Sequence, residues 1–165
     1  FTMEKICLLD LNYTLVGNQQ ETLNLRPFSR RVAAETYRED LIAAVRHDYV
    51  IIITARPTQH QIATMQSIFQ KTGWRPQEVY FNDINAYPAV FKESALKRFI
   101  FPKHGADGNI YYGVESNPRT RSMYARYGIQ SQPYETFIQG AAGRAVRLPG
   151  MEEPVKFQQQ SLFGR

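Results

Sequence analysis

The 165-residue chain contains a single cysteine, Cys7, so no disulfide within the chain can brace it. Its three histidines, His47, His60 and His104, show no metal-ligand spacing, and they are read as surface or loop residues. No apolar run approaches the ~20 residues that span a bilayer, and no basic stretch near the start leads into a long apolar segment. The expectation is a cytoplasmic protein with a reduced, buried thiol and no membrane association. Internal repeats are lacking as well. What remains is an ordinary globular composition, 43% hydrophobic and 21% charged, in a chain long enough to bury a core.

Four short segments carry the chemistry. Lys5 to Leu9 is an apolar run that stops on Asp10 and continues Leu11-Asn12-Tyr13-Thr14. A strand that delivers a carboxylate at its C-terminal end puts a nucleophile or metal ligand where open α/β sheets bind ligands. The same Asp10 could equally be a turn former or helix cap. Val50 to Ile53 is a β-branched run ending on Thr54-Ala55-Arg56. Phe91 to Ile100 has the period of an amphipathic helix, with Lys92 near its start and Lys97 further on. Ile110 to Val114 ends on Glu115-Ser116-Asn117-Pro118, where the proline suits the first turn of a helix. Nucleophile, hydroxyl, cation and acid thus follow in the order that transfer through an aspartyl-phosphate requires.

The remaining pattern supplies a scaffold. Strands are expected at 5–10, 50–54, 78–81 and 109–114, with a short one near Ile129. Between them lie a polar loop over 17–26 and helices over 29–46, 59–72, 90–101 and 118–127. Alternation at this spacing predicts right-handed βαβ units, a mainly parallel sheet and a single Rossmann-like three-layer α/β domain over residues 3–138. Asp10, Thr54 and Glu115 then converge at one sheet edge. Ile62, Met65 and Phe69, and likewise Phe91, Ala95 and Phe99, recur at helical spacing and are assigned to the core. Residues 139–165 read as a C-terminal tail, with Gly140 to Gly143, the Leu148-Pro149-Gly150 turn and Gln158 to Gln160 as loop signals and Phe157, Leu162 and Phe163 as anchors. Phe1-Thr2 is set aside.

These segments resemble the haloacid dehalogenase superfamily of phosphohydrolases over about residues 5–130. The family's Asp-x-Asp-x-Thr motif corresponds to Asp10 to Thr14, its strand-terminal hydroxyl to Thr54, its lysine to Lys92 with Lys97 as the alternative, and its acidic motif to Glu115 to Pro118. A looser likeness links Thr54-Ala55-Arg56, the Val90 to Ile100 helix and Glu115 to Ile129 to the phosphatase domain of polynucleotide kinase-phosphatases. The resemblance implies a Mg²⁺-dependent phosphomonoesterase. Asp10 would be the nucleophile, and Asp10, the Asn12 carbonyl and Glu115 the metal ligands, with Asn117 in the outer shell. Thr54 and Lys92 would bind phosphoryl oxygens, Arg56 substrate phosphate, and Thr14 would support the loop.

Two positions depart from the family pattern. Asn12 stands where the family has the Asp that serves as general acid and base, and an amide cannot exchange a proton at neutral pH, so much of a roughly 10²–10⁴-fold contribution is forfeited. Asn12 can reflect a substitution introduced to trap a complex, a slow phosphatase, or a phosphate binder without turnover. Ser116 stands where a second carboxylate is common, which weakens Mg²⁺ binding.

The gaps between motifs leave no room for a large cap domain, and an open site favours bulky substrates such as nucleic-acid ends over small metabolites. A formal net charge of +5, with Arg26, Arg30, Arg31, Arg56, Arg119 and Arg121 near strand ends, agrees with a phosphorylated partner, nucleic acid included. Tyr13, Tyr37 and Tyr112 are candidates for stacking on bases. The rival readings are a phosphate or nucleic-acid binding module and a scaffold whose tail drives oligomer formation.

Overall fold

A computed structural model describes residues 4–145. Five parallel strands form one sheet, β1 (Ile6–Leu9), β2 (Tyr49–Pro57), β3 (Glu78–Asn82), β4 (Tyr111–Val114) and β5 (Gln130–Gln132), in the order β3-β2-β1-β4-β5. Among the described residues, eight α-helices, α1 (Gln19–Thr22), α2 (Phe28–Ala34), α3 (Glu39–Val45), α4 (Gln61–Thr72), α5 (Pro88–Ala95), α6 (Phe101–His104), α7 (Pro118–Arg126) and α8 (Tyr134–Ala145), connect the strands and cover both faces. The result is a single Rossmann-like α/β domain. Strand order reverses between β1 and β4, and the crevice beyond their C-terminal ends is where such sheets bind ligands.

The central strands are apolar on both faces because helices cover both. Cys7, Leu9, Val50 and Ile52 meet α3, α4 and α8 through Leu41, Val45, Ile68 and Phe137. Leu8, Ile51 and Ile53 meet the other layer through Phe91, Ala95, Leu96, Met123 and Tyr124. Burial pushes the Cys7 thiol well above its ordinary pKa, as suits an inert core residue. Among the described residues, no helix is long and apolar enough to cross a membrane.

Three expectations are corrected. The helix expected over 29–46 is two helices, because residues between them run extended: Gly17 N–H donates to Thr36 O, Asn18 Oδ1 accepts Thr36 N–H, and Val16 bridges Tyr37. Ile62 and Phe69 are exposed, 75% and 40%, and Met65 is only partly buried, so that stripe is not core. The inward face of α4 instead presents Thr64, Ser67 and Ile68, since Thr64 accepts a hydrogen bond from Arg56 and Ser67 one from Tyr37. Finally, residues 139–145 continue α8 rather than opening a tail, and Ala141 is buried in the core. The Leu148-Pro149-Gly150 turn, Gln158 to Gln160 and the anchors Phe157, Leu162 and Phe163 lie outside the described residues.

Candidate active site

Leu9 is in register with Ile52 on one side and Val114 on the other, so the next residues, Asp10 and Glu115, emerge side by side from β1 and β4. Asp10 N–H donates to Val114 O at 3.0 Å, which holds the chain in line with the sheet for one more residue. The backbone then turns sharply over Leu11–Leu15, where Tyr13 has φ 63°. Lys92 reaches the same point from the other layer, one turn into α5, whose first position is Pro88.

The Lys92 ammonium, 1% exposed, joins the two carboxylates. Its Nζ lies 2.9 Å from Asp10 Oδ1 and 2.7 Å from Glu115 Oε1. Asp10 Oδ2 accepts from Thr14 Oγ1 at 2.8 Å, Ser116 Oγ at 2.7 Å and Ser116 N–H at 3.2 Å. Glu115 Oε2 accepts Asn117 N–H at 3.0 Å. Lys97 is excluded from this cluster, since its amine is 62% exposed and pairs at the surface with Glu93.

Burial by itself raises the Asp10 pKa, but the Lys92 charge and the hydrogen bonds from Lys92, Ser116 and Thr14 outweigh it and hold Asp10 below the usual carboxylate range. Glu115 goes the other way. Burial lifts it to about 7, Lys92 opposes the shift, and the Asp10 charge adds to it. Burial would also strip the proton from Lys92, yet the Asp10 and Glu115 carboxylates push its pKa upward and keep it cationic. One ammonium between two carboxylates thus leaves Asp10 as the firmly ionised, nucleophile-competent group.

Thr54 is 1% exposed, and its Oγ1 accepts the Arg56 N–H at 3.1 Å. Its hydroxyl proton is engaged with none of the described residues, so it remains available to an anion. Arg56 departs from its expected role. The guanidinium, 2% exposed, donates to both oxygens of Glu35, at 3.1 and 2.6 Å, to Thr64 Oγ1 at 3.0 Å and to Asn12 Oδ1 at 2.8 Å. Phe28 lies over it at 5.0 Å and is itself stacked on His60. Arg56 is therefore occupied inside the protein and orients Asn12 rather than meeting a substrate phosphate. Glu35, its partner, escapes sequence reasoning because it sits in what looks like a continuous helix. The available signal is that a buried arginine needs a carboxylate.

Asn12 presents its backbone carbonyl on the same side as Asp10, 3.3 Å from the Ser116 Oγ whose proton goes to Asp10. Asn117 spends its side chain capping α7 by accepting Arg119 N–H at 2.9 Å. Arg121 supports the site from behind, donating to Glu115 O at 2.8 Å, while Arg26 and Arg30 lie at the surface on backbone carbonyls.

Asp10, Glu115 and the Asn12 carbonyl supply hard oxygens that retain lone pairs beyond the hydrogen bonds above, and this donor type suits Mg²⁺. Among the described residues no group of three or more His, Cys, Asp or Glu side chains could hold a metal ion. Two carboxylates and one backbone carbonyl are three oxygen donors, and an octahedral ion held by them would keep the rest of its shell as water. In comparisons with known proteins, no family model and no curated protein matches this chain.

Proposed function

We propose that the chain is a Mg²⁺-dependent phosphomonoesterase of the haloacid dehalogenase type, without a large cap, acting through an aspartyl-phosphate on phosphorylated nucleic-acid ends or nucleotides. The observation that carries this reading is Lys92, buried and bonded at once to Asp10 and Glu115 at the sheet's switch point. Such an ammonium keeps Asp10 ionised and offsets the charge that gathers on phosphoryl oxygens.

In the first step an Asp10 carboxylate oxygen attacks phosphorus, the ester P–O bond breaks, and the leaving oxygen takes its proton from water. Oδ1 is the freer oxygen, since Oδ2 is held by Thr14 and Ser116. Thr54 and Lys92 donate to the phosphoryl oxygens. Water then attacks phosphorus and gives up a proton to the hydroxide left by the first step, the bond to Asp10 breaks and the carboxylate is restored. Asp10, the Asn12 carbonyl and Glu115 would hold Mg²⁺, which supplies neutralisation of phosphate charge.

The experiment is phosphate release, with and without Mg²⁺, from an aryl phosphate and from an oligonucleotide bearing a terminal phosphate. Mg²⁺-dependent release that disappears in Asp10→Asn supports the reading, and equal rates in that variant and the parent overturn it. A second reading, a phosphate or nucleic-acid binding module without turnover, is favoured by the Asn12 amide, which Arg56 holds and which carries no exchangeable acid proton. Tight Mg²⁺-dependent phosphate binding with no release would select it.

A further inference from the structure

We infer that the cleft beside Asp10, between Tyr13 and Tyr134, is a leaving-group subsite that takes the nucleoside of a phosphate monoester. This inference rests on the phosphomonoesterase reading and narrows its substrate. The cleft has a volume of about 450 Å³, and its wall includes Tyr13, Gln19, Arg38, Ser116 and Tyr134. Ser116 places it next to the reacting carboxylate, because the Ser116 hydroxyl is 2.7 Å from Asp10 Oδ2. One wall of the cleft thus abuts Asp10 on its Oδ2 side.

Tyr13 is built to be displayed there. Its φ of 63° is a conformation that bulky residues adopt only when their surroundings enforce it, and such positions cluster at ligand sites. Two residues of the cleft wall do the enforcing. Gln19 Oε1 accepts Tyr13 N–H at 3.3 Å, and Arg38 Nη1 donates to Thr14 O at 3.1 Å and Tyr13 O at 3.5 Å. The Tyr13 ring is 42% exposed, whereas Tyr37 is buried and the Tyr112 hydroxyl is tied to Asp48. Of the three tyrosines considered for base stacking, Tyr13 alone offers an open ring beside the site. Arg38 lies 3.8 Å over the Tyr134 ring and stiffens the opposite wall.

The polar groups of the cleft discriminate among rings. Because Tyr13 N–H must face the Gln19 oxygen, Nε2 points elsewhere, and it is buried without a hydrogen-bond partner. A donor left in that state is costly to the fold. Glu21 and Glu135 add carboxylates to the lining. They can accept from the exocyclic amine of a base and from ribose hydroxyls, and they repel a second phosphate. A phenyl leaving group offers these carboxylates no donor, and a glyceryl group offers hydroxyls but no ring to lie on Tyr13.

The test measures binding to the full chain, with Mg²⁺, of adenosine 5′-monophosphate, phosphotyrosine, glycerol phosphate and inorganic phosphate, using calorimetry. Stacking of one base predicts that adenosine monophosphate binds about tenfold more tightly than glycerol phosphate. Tyr13→Phe keeps that ratio and Tyr13→Ala brings it near one. Equal affinities in the parent, an unchanged ratio in Tyr13→Ala, or phosphotyrosine binding as tightly as the nucleotide would each overturn the subsite. In those three cases the phosphate site itself stands. Failure of all four compounds to bind overturns the phosphomonoesterase reading along with it.

Discussion

Arg56 Nη2 donates to Asn12 Oδ1 at 2.8 Å, joining positions 44 apart in the chain. The contact sets the amide with its oxygen inward, so Asn12 can offer N–H groups to the site but cannot accept a proton from water. Asn12→Asp replaces that oxygen with a carboxylate that Arg56 keeps ionised, a base at neutral pH. The expected outcome is phosphate release raised roughly 10²-fold, with the gain in hydrolysis of the aspartyl-phosphate. Rapid-quench trapping of phosphorylated protein should show less of it in the variant than in the parent. An unchanged rate in a folded, Mg²⁺-binding variant would favour the binding-module reading.

The Arg56–Glu35 pair is buried, with Glu35 fully enclosed. Glu35→Ala leaves a guanidinium without its counter-charge and is expected to cost about 3–5 kcal/mol. Glu35→Gln retains hydrogen-bond acceptance and should cost less. Urea denaturation of the two variants measures both the loss and its order.

Asp10 is the common point of the nucleophile and metal assignments. Asp10→Ala should abolish Mg²⁺ binding in a calorimetric titration while the chain remains folded by circular dichroism. Equal Mg²⁺ affinity in parent and variant would remove Asp10 from the metal site.

Glu78, at the opposite end of the sheet, predicts the acid response. Burial would raise its pKa, but hydrogen bonds from Tyr80, Tyr49, His104 and Lys103 outweigh burial and lower it to about 2. The unfolded chain therefore binds a proton at higher pH than the folded one, and Glu78 stabilises the fold fully above the ordinary carboxylate value of 4.5. That contribution disappears as pH falls from about 4.5 to 2. Glu78→Gln should flatten the stability curve across that window, measured by denaturant titration at each pH.

Fold class and most of the site can be read from the chain because both depend on local pattern. Apolar runs of strand length alternating with helical periods lead to a parallel sheet, and polar residues following those runs belong at its C-terminal edge. Asp10, Thr54 and Glu115 follow from that rule alone. The choice of Lys92 over Lys97 does not. Both occupy the same helical stretch, and only the packing of α5 on the sheet turns one amine inward and the other to solvent.

Tertiary structure alone decided the remainder, where a polar residue had to find a distant partner. Arg56 looks like a phosphate ligand when seen beside Thr54, but burial obliges it to pair with Glu35, whose approach depends on the break between α2 and α3. The same pairing draws Thr64 inward and leaves Ile62 and Phe69 outside, reversing the face that hydrophobic periodicity selects on α4. Periodicity records apolar surface along one element. It cannot register the cost of burying a charge without a partner, and at these positions that cost governs the packing.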